Sequence, residues 1–229
     1  MNFLELTQQL RQECGVAGTG PTTVVAQVGQ AKKLVDWINQ AWLEIQGMQD
    51  AWDFMREPFS FNTVANTPDY TPDGAAGVGA GLADFRYWYK DTLRCYRADI
   101  GIADEQWLVE WEYQVFRNTY RFNVQVAGRP VVFAVKPNGK ALMFGQIPGD
   151  TYTVVGEYQR RPTRLVADTD EPDISEHLQW AIIWKAMEYY GLFESAGEVV
   201  TRARQQFKAV IAQMEREQLE MVHLGNPMA

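Results

Sequence analysis

Two histidines, two cysteines and three short carboxylate groupings are the residues of this 229-residue chain best suited to chemistry. Their spacing limits what they can do. His177 and His223 form no His-x-x-x-His pair, and no Cys-x-x-Cys run occurs, so the common zinc-ligand spacings are absent. Cys14 and Cys95 stand far apart and make neither a staple framework nor a metal cluster, which reads as reduced, core-filling thiols. Asp168, Asp170 and Asp173 alternate like a calcium loop, but they lack its central glycine and closing glutamate, and Pro172 interrupts them. They read as solvated linker carboxylates. Glu110 with Glu112, and Asp104 with Glu105, pair carboxylates along the chain, yet glycosidic chemistry needs a set separation across a substrate, which sequence neighbours do not provide. Ser60, Ser175 and Ser195 sit in no Gly-x-Ser-x-Gly elbow. Gly77-x-Gly79-x-Gly81 has neither the strand–helix context nor the downstream lysine of a phosphate loop. No residue takes a catalytic role on this reading, and no cofactor or metal is implied.

Composition points the same way. Hydrophobic residues make up 46% and charged residues 22%, the balance of a soluble globular protein. No run approaches 18 apolar residues, so no membrane span is expected, and the opening Met1–Glu5 does not resemble a secretion leader. The net charge of −8 is unevenly spread. Residues 57–165 balance 12 basic against 12 acidic side chains, whereas residues 166–229 hold 5 basic against 11 acidic. A nucleic-acid binder needs a basic stripe to collect phosphates, and only Arg160, Arg161 and Arg164 cluster. The 8 tryptophans, 10 tyrosines and 11 phenylalanines suit a core and also the anchors of protein–protein interfaces.

The elements that would carry these residues fall into two helical blocks around a β-rich stretch. Phe3, Leu4, Leu6 and Leu10 mark a short amphipathic helix that fades at Gly15. Val28, Ala31, Leu34, Ile38, Trp42 and Ile45 recur at three- and four-residue steps, which predicts a long helix over 24–52 capped by Thr22 or Thr23. Strands are expected at 59–64, 83–96, 131–135, 141–144 and 152–158, with a hairpin turn at Asn138-Gly139. Residues 66–83 read as a Gly/Pro-rich loop and 104–122 as a helix across the sheet. Ser175 should cap a helix ended by Gly191, and Glu194 should open a final long helix. Each helical block has a single apolar face and must cover it with the other. The expected fold is therefore α+β: an antiparallel helical bundle, residues 1–56 plus 166–229, with an inserted, mainly antiparallel β domain at 57–165.

The order of several short motifs carries a resemblance. They are Leu34–Gln46, Trp52-Asp53-Phe54-Met55, Phe116–Arg121, Arg129-Pro130, Pro148–Tyr152, Gly156-Glu157-Tyr158 and Asp168–Ile174 ahead of two helices. In this order they resemble the head-to-tail adaptor, or head-completion, family of tailed bacteriophages in its larger form. The resemblance implies a structural virion protein of the neck, made in the host cytoplasm, that forms a twelve-subunit ring between the portal protein and the tail. DNA would pass through its channel without sequence-specific binding. The β insertion would meet a tail nozzle, tail-tube or other neck protein. The 66–82 loop and the C-terminal segment would make the portal and intersubunit contacts, through Tyr70 and Leu82 in the first and Met214, Leu219, Met221, Val222 and Leu224 in the second. The alternatives are a hydrolase with a carboxylate site, or another neck component such as a tail terminator.

Overall fold

A computed structural model of the chain describes residues 1–74, 79–122 and 125–219. In chain order the elements are α1 (Phe3–Glu13), α2 (Gly29–Met48), β1 (Arg56–Asn62), β2 (Asp69–Tyr70), β3 (Phe85–Arg97), β4 (Gln106–Trp107) and β5 (Val109–Glu110). Then follow α3 (Tyr113–Tyr120), β6 (Ala127–Gly128), β7 (Val132–Val135), β8 (Leu142–Gly145), β9 (Ile147–Pro148), β10 (Tyr152–Arg160), α4 (Trp180–Phe193) and α5 (Gly197–Gln218). The fold is α+β. The chain forms two compact units, one of Met1–Met55 with Pro162–Ala229, the other of Arg56–Arg161.

The first unit is helical. Asn2 opens α1 with a reciprocal cap: its side chain accepts from the Glu5 amide, and the Glu5 carboxylate accepts from the Asn2 amide, both at 2.9 Å. The next two free amides of that turn, Phe3 and Leu4, reach the carbonyls of Asp170 (2.8 Å) and Asp168 (3.2 Å). The side chains of Asp168 and Asp170 accept as well, so neither is a solvated linker carboxylate. Asp168 Oδ1 accepts from the Val24 amide and the Thr23 hydroxyl, at 2.6 and 3.1 Å. Asp170 Oδ2 accepts from the amides of Val166 and Ala167.

This engagement of Thr23 also explains why α2 starts late. Neither Thr22 nor Thr23 caps it; it begins at Gly29 with no side-chain cap, and Val28 is 81% exposed instead of core. From Leu34 onward the expected face is buried through Ile45. Two amides seven residues apart on α2 then act as a substitute strand. Asn39 exchanges both hydrogen bonds with the backbone of Leu165, and Gln46 does the same with Thr163, all between 2.9 and 3.0 Å. The extended segment at 163–165 is satisfied without a β neighbour.

Ser175 makes no capping bond; it precedes a single 3-10 turn, Glu176–Leu178, and α4 follows from Trp180. Gly191 does not end α4, which continues to Phe193, and α5 opens at Gly197 rather than Glu194. The glycine serves helix packing: a Cβ there would lie 2.8 Å from Val200 Cγ2. The core of this unit joins Phe3, Leu6 and Leu10 of α1 to Ile38 of α2, Ile182 of α4 and Met214 of α5. A charged network ties α2, α4 and α5. Lys185 of α4 bridges Glu44 (2.8 Å) and Glu188 (3.2 Å), and Arg204 of α5 holds the other Glu188 oxygen at 2.7 Å. Burial alone would raise the Glu188 pKa, but Arg204 and Lys185 outweigh it and keep the carboxyl below its ordinary range.

The second unit carries two four-stranded sheets, ordered β1-β10-β3-β4 and β2-β8-β7-β5, and the pair β6-β9. The first sheet is antiparallel throughout, while β5 with β7 and β6 with β9 run parallel, so the unit is mixed. Along β7, Phe133 joins a core with Phe59, Trp88, Tyr70 and Phe144, whereas Val132 and Ala134 pack with Phe116 of α3. A strand covered on both faces needs apolar residues at every position, which is why 132–134 reads as an unbroken run. Gly156 sits opposite Phe59 in the β1–β10 register, and a Cβ there would meet the Phe59 ring at 3.1 Å. Residues 104–122 are not one helix. The segment is split because Trp107 pairs with Arg94, Val109 pairs with Val132, and only from Glu112, whose carboxylate accepts from the Val115 amide, does α3 begin.

Candidate interaction surfaces

Most of the acidic residues, both cysteines and His177, all weighed for chemistry, have structural surroundings that account for them. His177 Nε2 meets Glu217 at 3.0 Å on the exposed side of α5, and the Glu217 carboxyl is held low by Gln213 and then by His177. Cys14 is pushed up to about 12 by burial and by Glu13. Cys95 reaches about 11, also through burial, with Arg129 opposing. Neither thiol is poised as a thiolate. Glu110 pairs with Lys90 at 2.5 Å, Glu112 caps α3, and Glu105 pairs with Arg94 at 3.2 Å. Asp104 accepts from the Arg97 amide (2.9 Å) and from Arg129 at both oxygens (2.8 Å), which keeps its pKa low. Among the described residues, no three His, Cys, Asp or Glu side chains are grouped so as to hold a metal ion. His223 lies outside the described residues.

The contact residues named from sequence fall into different environments. Met214 is fully buried in the helical core, and Leu219 packs partly buried against it. Tyr70 is also fully buried; its hydroxyl donates to the Val64 carbonyl and accepts from the Val64 amide, each at 3.0 Å. A side chain closed over within its own chain has no area to offer a neighbour, so Met214 and Tyr70 shape their segments from inside. Leu82 is half-buried against the core of the second unit, and its amide donates to Pro72 at 2.6 Å. The loop returns there on Gly79, where a Cβ would sit 2.0 Å from the Thr71 carbonyl. Met221, Val222 and Leu224 lie outside the described residues.

Two surfaces escaped the residue pattern. Trp107, at the open edge of the first sheet, is 63% exposed, and Val109, at the edge of the second, is 56% exposed, with Leu108 between them buried. Arg94 lies over the Trp107 ring at 5.3 Å. A helical reading of 104–122 counts Trp107 as buried; only the period-two alternation 107–109 signals the edge. In the helical unit, the α4–α5 corner leaves Leu192 and Phe193 more than half exposed. Trp37 approaches Phe193 at 5.7 Å between ring centroids, with Lys33 Nζ over the same ring at 3.4 Å. Exposed aromatic and aliphatic side chains beside cationic groups are of the kind enriched in protein–protein contacts.

A model of the family described as SU10 adaptor protein matches residues 1–228, nearly the whole sequence. The chain belongs to the SU10 adaptor protein family. It is a head-to-tail adaptor, a structural protein of the bacteriophage virion. That placement implies interaction with portal or tail components. No curated protein matches the adaptor in sequence. No described helix of the adaptor is long and apolar enough to cross a membrane.

Proposed function

We propose that the adaptor is one of twelve copies in a ring that joins the portal protein to the tail and continues the DNA channel between them. On this reading the helical unit is an antiparallel bundle that builds the ring wall, and the β unit is an insertion in it that meets a tail nozzle, tail-tube or neck protein. The C-terminal segment, residues 215–229, docks on the portal. DNA slides past without sequence-specific contact, and the adaptor performs no catalysis. The observation that carries the reading is the family match over residues 1–228. The exposed Trp107, Val109, Leu192 and Phe193 support it, since they give both units apolar area to cover on assembly. An acidic chain of net charge −8 also suits a conduit, because a basic lining would hold phosphates by counterion release. Mixing the adaptor with portal rings and imaging the product tests the proposal. Twelvefold density on one portal face is the expected result; failure to associate across several salt concentrations overturns it.

A further inference from the structure

A cleft of about 450 Å³ opens on the second unit between the first half of β3 and the turn joining β7 to β8. Tyr87, Trp88, Val135 and Pro137 form its apolar walls, and Lys90, Lys136 and Lys140 stand around it. The turn is fixed to the floor, because Trp88 Nε1 donates to the Lys140 carbonyl at 2.8 Å. The cleft is thus pre-formed, which spares an occupant part of the ordering cost. Its three ammonium groups are not equally available. Lys90 is offset by Glu110 at 2.5 Å, and Lys140 spends one donor on the Arg86 carbonyl while keeping its charge. Lys136 is exposed; its backbone amide donates to the Ala141 carbonyl at 2.9 Å, while its ammonium has no hydrogen-bond or ion-pair partner among the described residues. An occupant must bring an apolar side chain for the walls and carboxylates for the rim.

Nucleic acid fits this poorly. Three lysines at one short cleft, on a chain of net charge −8, make no stripe that could track a phosphate backbone. The adaptor itself carries the complementary chemistry, since its acidic surplus lies in residues 166–229, with 11 acidic against 5 basic side chains. Within that stretch, the α4–α5 corner presents Leu192 and Phe193, 56% and 54% exposed, beside Glu194 and Glu198. Both glutamates are exposed and have no ion-pair partner among the described residues. The corner is stiff: the Ala196 amide donates to the Gly191 carbonyl at 2.8 Å, and the Glu194 amide to Tyr190 at 2.9 Å.

We propose that the lysine-rimmed cleft of one adaptor receives the α4–α5 corner of a second copy, with Leu192 against the apolar walls and Glu194 and Glu198 facing Lys136 and Lys140. Cleft and corner are different patches of one chain, so the contact is heterologous and repeats from copy to copy, as a closed ring requires. The inference rests on the ring reading and supplies its subunit contact. Its electrostatic part is exposed and therefore weakens as salt rises.

Treatment of intact particles with a carbodiimide, which joins an ammonium to a carboxylate without a spacer, tests the contact directly. The expected product is a covalent adaptor dimer whose linked peptides join Lys136 or Lys140 to Glu194 or Glu198. Linkage of Lys136 to a different virion protein overturns the proposal, as does its failure to react while exposed Lys32 and Lys208 do. In parallel, Lys136→Glu should lower adaptor incorporation into particles about tenfold, and adding Glu194→Lys should restore most of it, which is the signature of paired charges. Both positions are exposed, so unchanged thermal unfolding of each variant establishes that folding is intact. Twelvefold rings that form equally well with Lys136→Glu overturn this contact and leave the ring standing. Absence of rings from the wild-type adaptor on portals removes both.

Discussion

The two units of the adaptor hold their elements together by different means. The helical unit closes most of its loose ends with directed hydrogen bonds: Asp168 and Asp170 on the start of α1, Asn39 and Gln46 on the extended segment 163–165, and Lys185 between Glu44 and Glu188. The β unit has two cores on either side of β7 and β8, yet leaves Ile102, Trp107, Val109, Phe122 and Val126 each more than half exposed. Stability in the first unit therefore rests on a network in which each member holds another element in place. Both units also keep apolar side chains more than half exposed, among them Val28, Val166, Leu192 and Phe193 in the first and the five just named in the second. Substitutions should separate these behaviours, since those in the helical network act on folding and those at the β edge act on association.

The largest effect is expected at Trp52, which is fully buried and donates its indole N–H to the Ile45 carbonyl at 2.9 Å. Trp52→Ala should destabilise the chain by about 3–5 kcal/mol, read as a lower denaturant midpoint with an unchanged slope. A stability equal to wild type would show that this core has room to collapse, and would break the comparison at its strongest point. Gly191→Leu comes next. The side chain would enter the space filled by Val199 and Val200, and overpacking should cost about 1–3 kcal/mol. Gln46→Ala should cost about 1–3 kcal/mol, because it strands the Thr163 amide and carbonyl together. Replacement by Glu, which keeps the acceptor and loses the donor, should recover only part of that.

Acid sharpens the comparison further. Asp104 in the β unit is lowered by the Arg97 amide and then Arg129, and Asp170 in the helical unit by the Val166 and Ala167 amides. A carboxyl held below its unfolded value contributes stability that is fully present above that value, near pH 4, and is lost as pH falls through the folded value. Through these carboxyls both units should therefore weaken below about pH 4. Asp170→Asn should flatten the acid dependence of the helical unit alone, measured by hydrogen exchange of α1 amides across pH. Equal flattening in β3 would refute the separation. The smallest effect on folding belongs to Trp107→Ala, within about 0.5 kcal/mol of wild type, as expected of an exposed side chain. Its assembly onto portal rings should fall instead, and a loss of stability without a loss of assembly would reverse the assignment of that edge.

Helix and strand positions were legible wherever one pattern governed a whole element. The face of α2 from Leu34 to Ile45, the strand at β3 and the β7–β8 hairpin follow periodicity, because burial on one face or on two leaves a period that survives in sequence. Boundaries were not legible where a distant partner competes for the local cap. Thr23 has the residue type to start a helix, but Asp168 draws its hydroxyl away; Gly191 has the residue type to end one, but serves close helix packing. The adaptor family was legible in the order of weak motifs, while the contact side chains were not. Tyr70 and Met214 are apolar enough for an interface and are spent inside, whereas Leu192 and Trp107 remain outside.

By itself, then, the sequence determined composition, charge asymmetry, the periodic elements and the order of motifs that marks the family, because each of these is local or additive along the chain. Only the tertiary structure decided which carboxylates are clasps and which apolar side chains stay uncovered, and it alone set three lysines around one cleft. Those properties depend on pairing between residues far apart in the chain, such as Val24 with Asp168 or Trp88 with Lys140, and no local pattern encodes such a pair.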